Sequence, residues 1–558
     1  MNISGRENPR VRLLIGLLAI AVVMVARPAF ATPACTVAAL QPFFPPATDT
    51  TITSASLSGA NCLVKGSIAT TTGSQTGKVL FAVGLPPQAS WNGRFVFVGG
   101  GGYQGSLPSP TALLPFGFAE AVTDTGHESI FGPAAELDGS FALVEPGNIP
   151  NMAAIEDFAY RAVHLSTVAG QSLTNQYYGS PMLSYFDGCS TGGRQALVEA
   201  QKFPDDFNGI VAGDPAISDP IAGFNWNNQA LLTDSTGDSW LPPAQIAVLD
   251  AAVTAACDGS DGVIDGLIED PRLCNFDPAS IQCSKKLTSN CLTAAQVATL
   301  KKIYAGATTP DGTQLYPGYT ASNPGGSDGW EDWITGFASP PDGFGVDNPY
   351  GTVPNSFFFA PLQFSFQDQF MKFFVFDDPA YNSLTFDFAD ASQVALLNTV
   401  ITNFNSNGED TDLSPFFGAG GKLVMYHGWS DPALTPFVSV DYYTNVAKTL
   451  GGGFKHLQDD ARLFMVPGMH HCSGGPGPYN FDPLTPLIAW VETGVAPDTI
   501  VGEVPAGPQA GRTFPLCPFP SLAVFQGGNV DDAANWVCKA HTNHRFSPGN
   551  SKKGHKNG

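Results

Sequence analysis

Three short segments carry residue types that could together cleave an acyl bond. The first is Gly188-Cys189-Ser190-Thr191-Gly192, a Gly-x-Ser-x-Gly pattern. The apolar run Met182-Leu183-Ser184-Tyr185-Phe186 precedes it, and Gly193-Arg194-Gln195-Ala196-Leu197-Val198-Glu199-Ala200 follows with helical character. Strand, sharp turn and helix in that order lift a serine hydroxyl clear of the backbone. The second segment is His427-Gly428-Trp429-Ser430-Asp431-Pro432, and the third is Pro467-Gly468-Met469-His470-His471-Cys472. A serine hydroxyl is a weak nucleophile at neutral pH and needs an imidazole to take its proton. That imidazole needs a carboxylate to fix its tautomer and balance its charge. Ser190 as nucleophile, Asp431 as acid and His471 as base supply the set, with His427 and His470 as alternative imidazoles. Singly, Asp431 fits an ordinary turn before a proline and His471 an ordinary loop histidine. Their order with Ser190 is what points to catalysis. An acyl-transfer intermediate also needs N–H donors for its oxyanion. Thr191 offers one, and the glycine run 99–102 is expected to offer the other, at Gly102.

Each candidate group should stand at the end of a buried strand. Residues 78–85 and 94–98 read as strands, the second running into the glycine run. Residues 151–173 read as a helix, with Ile155, Phe158, Ala159, Ala162 and Leu165 at helical spacing. After the elbow and its helix comes Gly209-Ile210-Val211-Ala212-Gly213, a short buried strand. The rhythm breaks near residue 215 and resumes at the apolar strands 422–426 and 461–466. The alternation predicts an α/β fold, a parallel sheet covered by helices. The expected catalytic parts are 32–214 and 418–558, with 215–417 inserted as a lid. In open parallel sheets, sites form at the carboxyl ends of strands, so the three loops should converge. The order Ser, Asp, His is that of the α/β-hydrolase fold.

Composition narrows the setting. Arg6, Arg10 and Arg12 precede an apolar stretch over 13–25, and Ala29-Phe30-Ala31 offers a small-x-small cleavage site. This reads as an export signal over 1–31, giving a secreted protein, periplasmic or extracellular. The stretch is short for a membrane span, so no membrane attachment is expected after cleavage. A formal net charge of -23 disfavours nucleic acid as a partner. Ten cysteines in an exported chain suggest disulfides. Cys35 with Cys62, Cys257 with Cys274, Cys283 with Cys291, and Cys517 with Cys538 are neighbours, which leaves Cys189 and Cys472. Spacing alone does not fix this connectivity.

Cys189-Ser190, Asp431 and His471-Cys472 resemble the CS-D-HC pattern of the tannase and feruloyl esterase family, which includes hydrolases of mono(2-hydroxyethyl) terephthalate. Trp91-Asn92-Gly93-Arg94-Phe95 and Thr123-Asp124-Thr125-Gly126-His127 are also similar to it. The resemblance spans nearly all of the chain after the signal. It implies a secreted serine esterase with an α/β-hydrolase domain and a lid, and Ser190, Asp431 and His471 in the roles above. It further implies a Cys189–Cys472 disulfide and a substrate-pocket position for His427.

The segment Cys257-Asp258-Gly259-Ser260-Asp261-Gly262-Val263-Ile264-Asp265-Gly266-Leu267 gathers three carboxylates in a glycine-punctuated turn. Hard oxygen ligands of this kind suit calcium. Ser260 and Gly262 depart from the EF-hand pattern. The resemblance implies a structural Ca2+ in the lid, held by the side chains of Asp258, Asp261 and Asp265 and the carbonyls of Val263 and Leu267. No organic cofactor is expected. The lid aromatics Trp330, Trp333, Phe357, Phe358, Phe359, Phe364, Phe366, Phe370, Phe373 and Phe374 either fill its core or wall a pocket for a planar phenolic acyl group. Few cationic residues lie in the lid, which disfavours a terephthalate-type monoester. The expected partner is thus a small aromatic ester or a phenolic ester on plant polymer, hydroxycinnamoyl before galloyl. A serine peptidase and a calcium-dependent binding protein are the competing readings.

Overall fold

The computed structural model describes residues 32–540 apart from 181, 327, 406 and 407. The expected signal over 1–31 lies outside the described residues. The central sheet has nine strands: β1 (Thr50–Ser58), β2 (Asn61–Thr72), β3 (Gln75–Leu85), β4 (Arg94–Val98), β5 (Ala119–Thr123), β6 (Leu183–Cys189), β7 (Gly209–Gly213), β8 (Lys422–Gly428) and β9 (Ala461–Val466). Their order is β1-β2-β3-β5-β4-β6-β7-β8-β9. From β5 to β9 every pairing is parallel, while β1, β2, β3 and β5 pair antiparallel.

The parallel strands are apolar almost throughout because both faces are covered. Alternate residues serve alternate faces. Phe95, Phe97, Phe186, Ile210, Met425 and Leu463 enter one core, and Val96, Tyr185, Val211, Val424 and Phe464 enter the other. Helix α1 (Ala162–Tyr178) covers β5, and α2 (Thr191–Lys202) lies on β6 and β7. The helix expected over 151–173 is built in pieces. Met152–Glu156 is capped by the Asn151 side chain, a π turn spans Asp157–Arg161, and α1 then runs to Gly179 in the left-handed region. No helix among the described residues is long and apolar enough to cross a membrane.

Between β7 and β8 the chain adds no strand to the sheet. Helices α3 (Pro220–Leu232) and α4 (Leu362–Phe370) of this insertion pack together. They are joined by buried hydrogen bonds from Asn225 to Gln367 (2.7 Å) and from Asn227 to Gln363 (3.0 Å). The insertion is fastened to the loop after β8. Gln363 Nε2 donates to Pro432 O (2.8 Å), Tyr319 to Ala433 O (2.8 Å) and Thr320 to Trp429 O (2.6 Å). The acidic loop over 257–267 is not remote from the catalytic half. It sits against the C-terminal hairpins, with Asp265 paired to Arg512 and Glu269 accepting from Ala523 N–H.

Candidate active site

Ser190 stands between β6 and α2 at φ +64 and ψ -123. A non-glycine residue held there costs roughly 1–3 kcal/mol, so neighbours must impose it. Ser190 N–H donates to Gly213 O (3.0 Å), and Ser190 O accepts from Arg194 N–H and Ala216 N–H, each at 3.0 Å. The turn is tight enough that a Cβ on Gly188 would lie 2.7 Å from the Gly192 backbone. Glycine at 188 is therefore a packing requirement.

The loops after β8 and β9 meet this turn. His471 Nδ1 donates to Asp431 Oδ2 (2.8 Å). Asp431 Oδ1 accepts from Ala433 N–H (2.7 Å) and Leu434 N–H (2.9 Å). Burial works against the Asp431 charge, yet both histidines together hold its pKa below the ordinary carboxylate value. Burial likewise opposes a charged His471, but Asp431 overrides it and raises the His471 pKa above 6.5. His471 Nε2 is buried and has no hydrogen-bond partner among the described residues. Cys189 and Cys472 form a disulfide that ties the residue before Ser190 to the residue after His471. The other four bridges join Cys35 to Cys62, Cys257 to Cys274, Cys283 to Cys291, and Cys517 to Cys538.

The glycine run is similarly placed. Gly99 N–H donates to Asp187 O, Gly100 N–H to Gln195 Oε1 and Gly101 N–H to Gln104 Oε1. Gly102 N–H meets no acceptor among the described residues. At φ +49 a Cβ there would lie 2.4 Å from Glu136 O. Gly102 and Thr191 line the same cleft as Ser190 and His471. Thr191 is the first residue of α2, where the N–H has no helical acceptor.

That cleft is walled on the sheet side by Tyr103, Phe158, Arg194 and Leu434, and on the insertion side by Ile221, Phe224, Trp333, Phe366, Phe370 and Ile401. Trp333 meets the His471 ring edge to face at 4.9 Å and stacks with Phe366 at 6.2 Å. The aromatic run thus divides. Phe366, Phe370 and Trp333 reach the cleft, Trp330 and Phe364 are buried, and Phe358 and Phe359 lie on the surface.

One expectation is corrected. His427 does not line the cleft: it is wholly buried behind Asp431, with Nε2 3.2 Å from Asp431 Oδ2. The β8 strand carries it into the layer beneath the site, and its Nδ1 meets Ser439 Oγ (2.7 Å). A cationic group lines the cleft, and it comes from α2, not from the insertion. It is Arg194, whose guanidinium donates to Ala159 O (2.9 Å) and Phe158 O (3.4 Å). His470, the other alternative imidazole, is turned to Asn323 O (2.8 Å).

Asp214 was not singled out from the sequence. It follows β7, is fully buried, and accepts from Gly428 N–H (2.8 Å) and Cys472 N–H (2.8 Å). Burial lifts its pKa to about 6, against the pull of His427. Its place at the carboxyl end of a buried strand was the available signal.

The fold is of the α/β-hydrolase class. Residues 62–539 match the family described as Tannase and feruloyl esterase, and the chain belongs to that family. It is 33% identical over 541 residues to a mono(2-hydroxyethyl) terephthalate hydrolase of Piscinibacter sakaiensis, covering 86% of this chain and 85% of that one. It is 33% identical over 517 residues to "Probable feruloyl esterase B-2" of Aspergillus terreus, covering 87% of each. The crystal structure of feruloyl esterase B from Aspergillus oryzae superposes with a TM-score of 0.73 at 27% identity, covering 88% of this chain and 97% of that one. The protein is a carboxylic ester hydrolase.

Proposed function

We propose that this hydrolase is an exported serine esterase that cleaves esters of planar phenolic acids, feruloyl and related hydroxycinnamoyl esters first and galloyl esters second. One observation carries the reading. A strained Ser190 and a carboxylate-paired His471, bridged through Cys189–Cys472, open onto a single cleft walled by Trp333, Phe366 and Phe158. His471 Nε2 takes the proton of Ser190 as the hydroxyl attacks the ester carbonyl. Thr191 and Gly102 N–H groups receive the oxyanion, and Asp431 stabilises the imidazolium. The C–O bond to the alcohol breaks as His471 returns the proton to the leaving oxygen. Water, deprotonated by the same imidazole, then releases the acid and regenerates Ser190. Five disulfides suit an oxidising compartment and support export.

The acyl preference rests on the aromatic walls. Two Arg194 donors already serve backbone carbonyls, which places phenolic acids ahead of a free-carboxylate monoester. Kinetics on methyl ferulate, caffeate, p-coumarate and gallate, with mono(2-hydroxyethyl) terephthalate alongside, test the ranking. Trp333→Ala should raise KM for methyl ferulate roughly 10-fold and change KM for a short aliphatic ester little, since a lost aromatic wall costs about 1–2 kcal/mol only where a ring would lie on it. Equal losses on both esters would remove Trp333 as an acyl-ring platform.

We also propose a structural Ca2+ in the 257–267 loop. The donor set is hard oxygen, and burial with the charges of Asp265 and Asp258 pushes the Asp261 pKa up to about 6. A divalent cation held by Asp258, Asp261 and Asp265 with the Val263 and Leu267 carbonyls would offset that crowding. The loop already meets the C-terminal hairpins through the pairing of Asp265 with Arg512. Chelation should lower Tm by on the order of a few degrees, restored by Ca2+ but not by Na+. An unchanged Tm, with no calcium found by elemental assay, would exclude the site.

A further inference from the structure

We infer that His427 is a positioning residue that acts through Asp431, holding the carboxylate on His471 and sharing its charge. This rests on the reading of Ser190, His471 and Asp431 given above. His427 Nε2 faces only acceptors: Leu434 O at 3.0 Å, Asp431 Oδ2 at 3.2 Å and Asp214 Oδ1 at 3.7 Å. It therefore carries a hydrogen and donates. The oxygen it approaches on Asp431 is the one that accepts from His471 Nδ1. With Ala433 and Leu434 N–H on the other oxygen, Asp431 cannot rotate without losing a donor.

Charge strengthens the argument. Asp214 and Asp431 are both fully buried, and no lysine or arginine pairs with either among the described residues. The titratable groups packed around His427 are Asp214, Asp431 and His471, with Tyr316, Tyr319 and Tyr426 just outside them. Among the described residues, only the two histidines are placed to offset these two buried carboxylates. His427 is turned away from the cleft, so its role is to serve the pair at rest. His471, by contrast, must be neutral at the start of turnover so that it can accept the serine proton. A donor behind Asp431 draws charge from Oδ2 and keeps His471 from becoming too basic. The sign follows: a cationic His427 depresses the His471 pKa, so removing it raises that pKa. A higher His471 pKa moves the acid limb of the rate profile to higher pH, because the base must be neutral.

The test compares His427→Leu, which has no donor, with His427→Gln, which keeps a donor but never ionises. Ser439→Ala removes only the Nδ1 partner. Steady-state kinetics on methyl ferulate between pH 5 and 9 are read with Tm and with fluorophosphonate labelling. In His427→Leu, kcat should fall on the order of 10²-fold with KM within about twofold, as expected when a group acting only on the base is lost. In His427→Gln, kcat should recover to within about fivefold, with the acid limb of kcat/KM still roughly half a pH unit above wild type. Ser439→Ala should show a smaller displacement of the same sign. A folded Leu variant with unchanged kcat and limb would overturn the inference, as would a loss confined to KM. Should the Leu variant not fold, an unmoved limb in both the Gln and Ala variants overturns it equally. Wild-type protein left unlabelled by fluorophosphonate would instead overturn the Ser190 reading, and this inference with it.

Discussion

Ser190→Ala is expected to lose ester hydrolysis on the order of 10⁵-fold in kcat while KM for methyl ferulate changes little. The reasoning is geometric. The Ser190 hydroxyl is the one held at the strained tip of the β6–α2 turn, and the aromatic cleft walls proposed to bind the acyl ring are elsewhere, on α4, on Trp333, on Phe158 and on Tyr103. Residual turnover would come from the oxyanion donors and His471 acting on water. Asp431→Asn should follow at about 10⁴-fold, because the amide holds His471 in the wrong tautomer. The fold should survive Ser190→Ala, since alanine inherits the same φ of +64 and Ser190 Oγ caps no helix N–H. Ser190→Gly supplies an independent check on the strain. Glycine adopts positive φ freely, so this variant should be about 1 kcal/mol more stable than the alanine variant, and equally inactive. Undiminished hydrolysis by the alanine variant would remove Ser190 as nucleophile. Equal stability of the two variants would remove the strain argument while leaving the chemistry intact.

The parallel half of the sheet was readable because its signal is local. Residues 209–213, 422–426 and 461–466 are uninterrupted apolar runs, and each is a strand. Residues 50–72 gave no such signal. They are rich in Thr and Ser, and β1 is largely exposed, so only Ile52 on β1 and Val64, Ile68 and their alternates on β2 mark a buried face. Loop order pointed to Ser190, Asp431 and His471 because each follows a strand, and the structure brings those three loops together, with His471 on Asp431 and the Cys189–Cys472 bridge between elbow and histidine loop. The identity of the supporting layer was not readable in that way. His427 sits one residue before the end of β8, and strand pleat decides whether it faces cleft or core. That parity depends on where the strand stops, which a window of Tyr, His, Gly and Trp does not specify. Asp214 was hidden for a related reason: a lone aspartate after Gly213 and before a proline reads as a turn. Its partners, Gly428 and Cys472 N–H, lie more than two hundred residues away in sequence.

Replacing both Cys189 and Cys472 by alanine is expected to lower kcat about 10²-fold and to lower Tm as well, two consequences of one bridge. The bridge closes a loop with a sequence separation of 283. In the chain-entropy description, releasing so long a loop costs on the order of 5 kcal/mol by loosening the unfolded chain. That part is independent of the site. The kinetic part is local. Cys472 is itself held at φ +59, with its N–H on Asp214, and it follows directly on His471. Cys189 directly precedes Ser190. Without the bridge, no covalent link joins the histidine loop to the elbow, only hydrogen bonds such as that of Cys472 N–H to Asp214, and a misplacement near 1 Å is enough for a loss of about 10²-fold. A double mutant destabilised but fully active at low temperature would show that the bridge only stiffens the chain. A double mutant with normal Tm and reduced kcat would show the reverse. Losses in both, with single alanine variants no better than the double, are the outcome expected of a bridge that sets the distance between nucleophile and base.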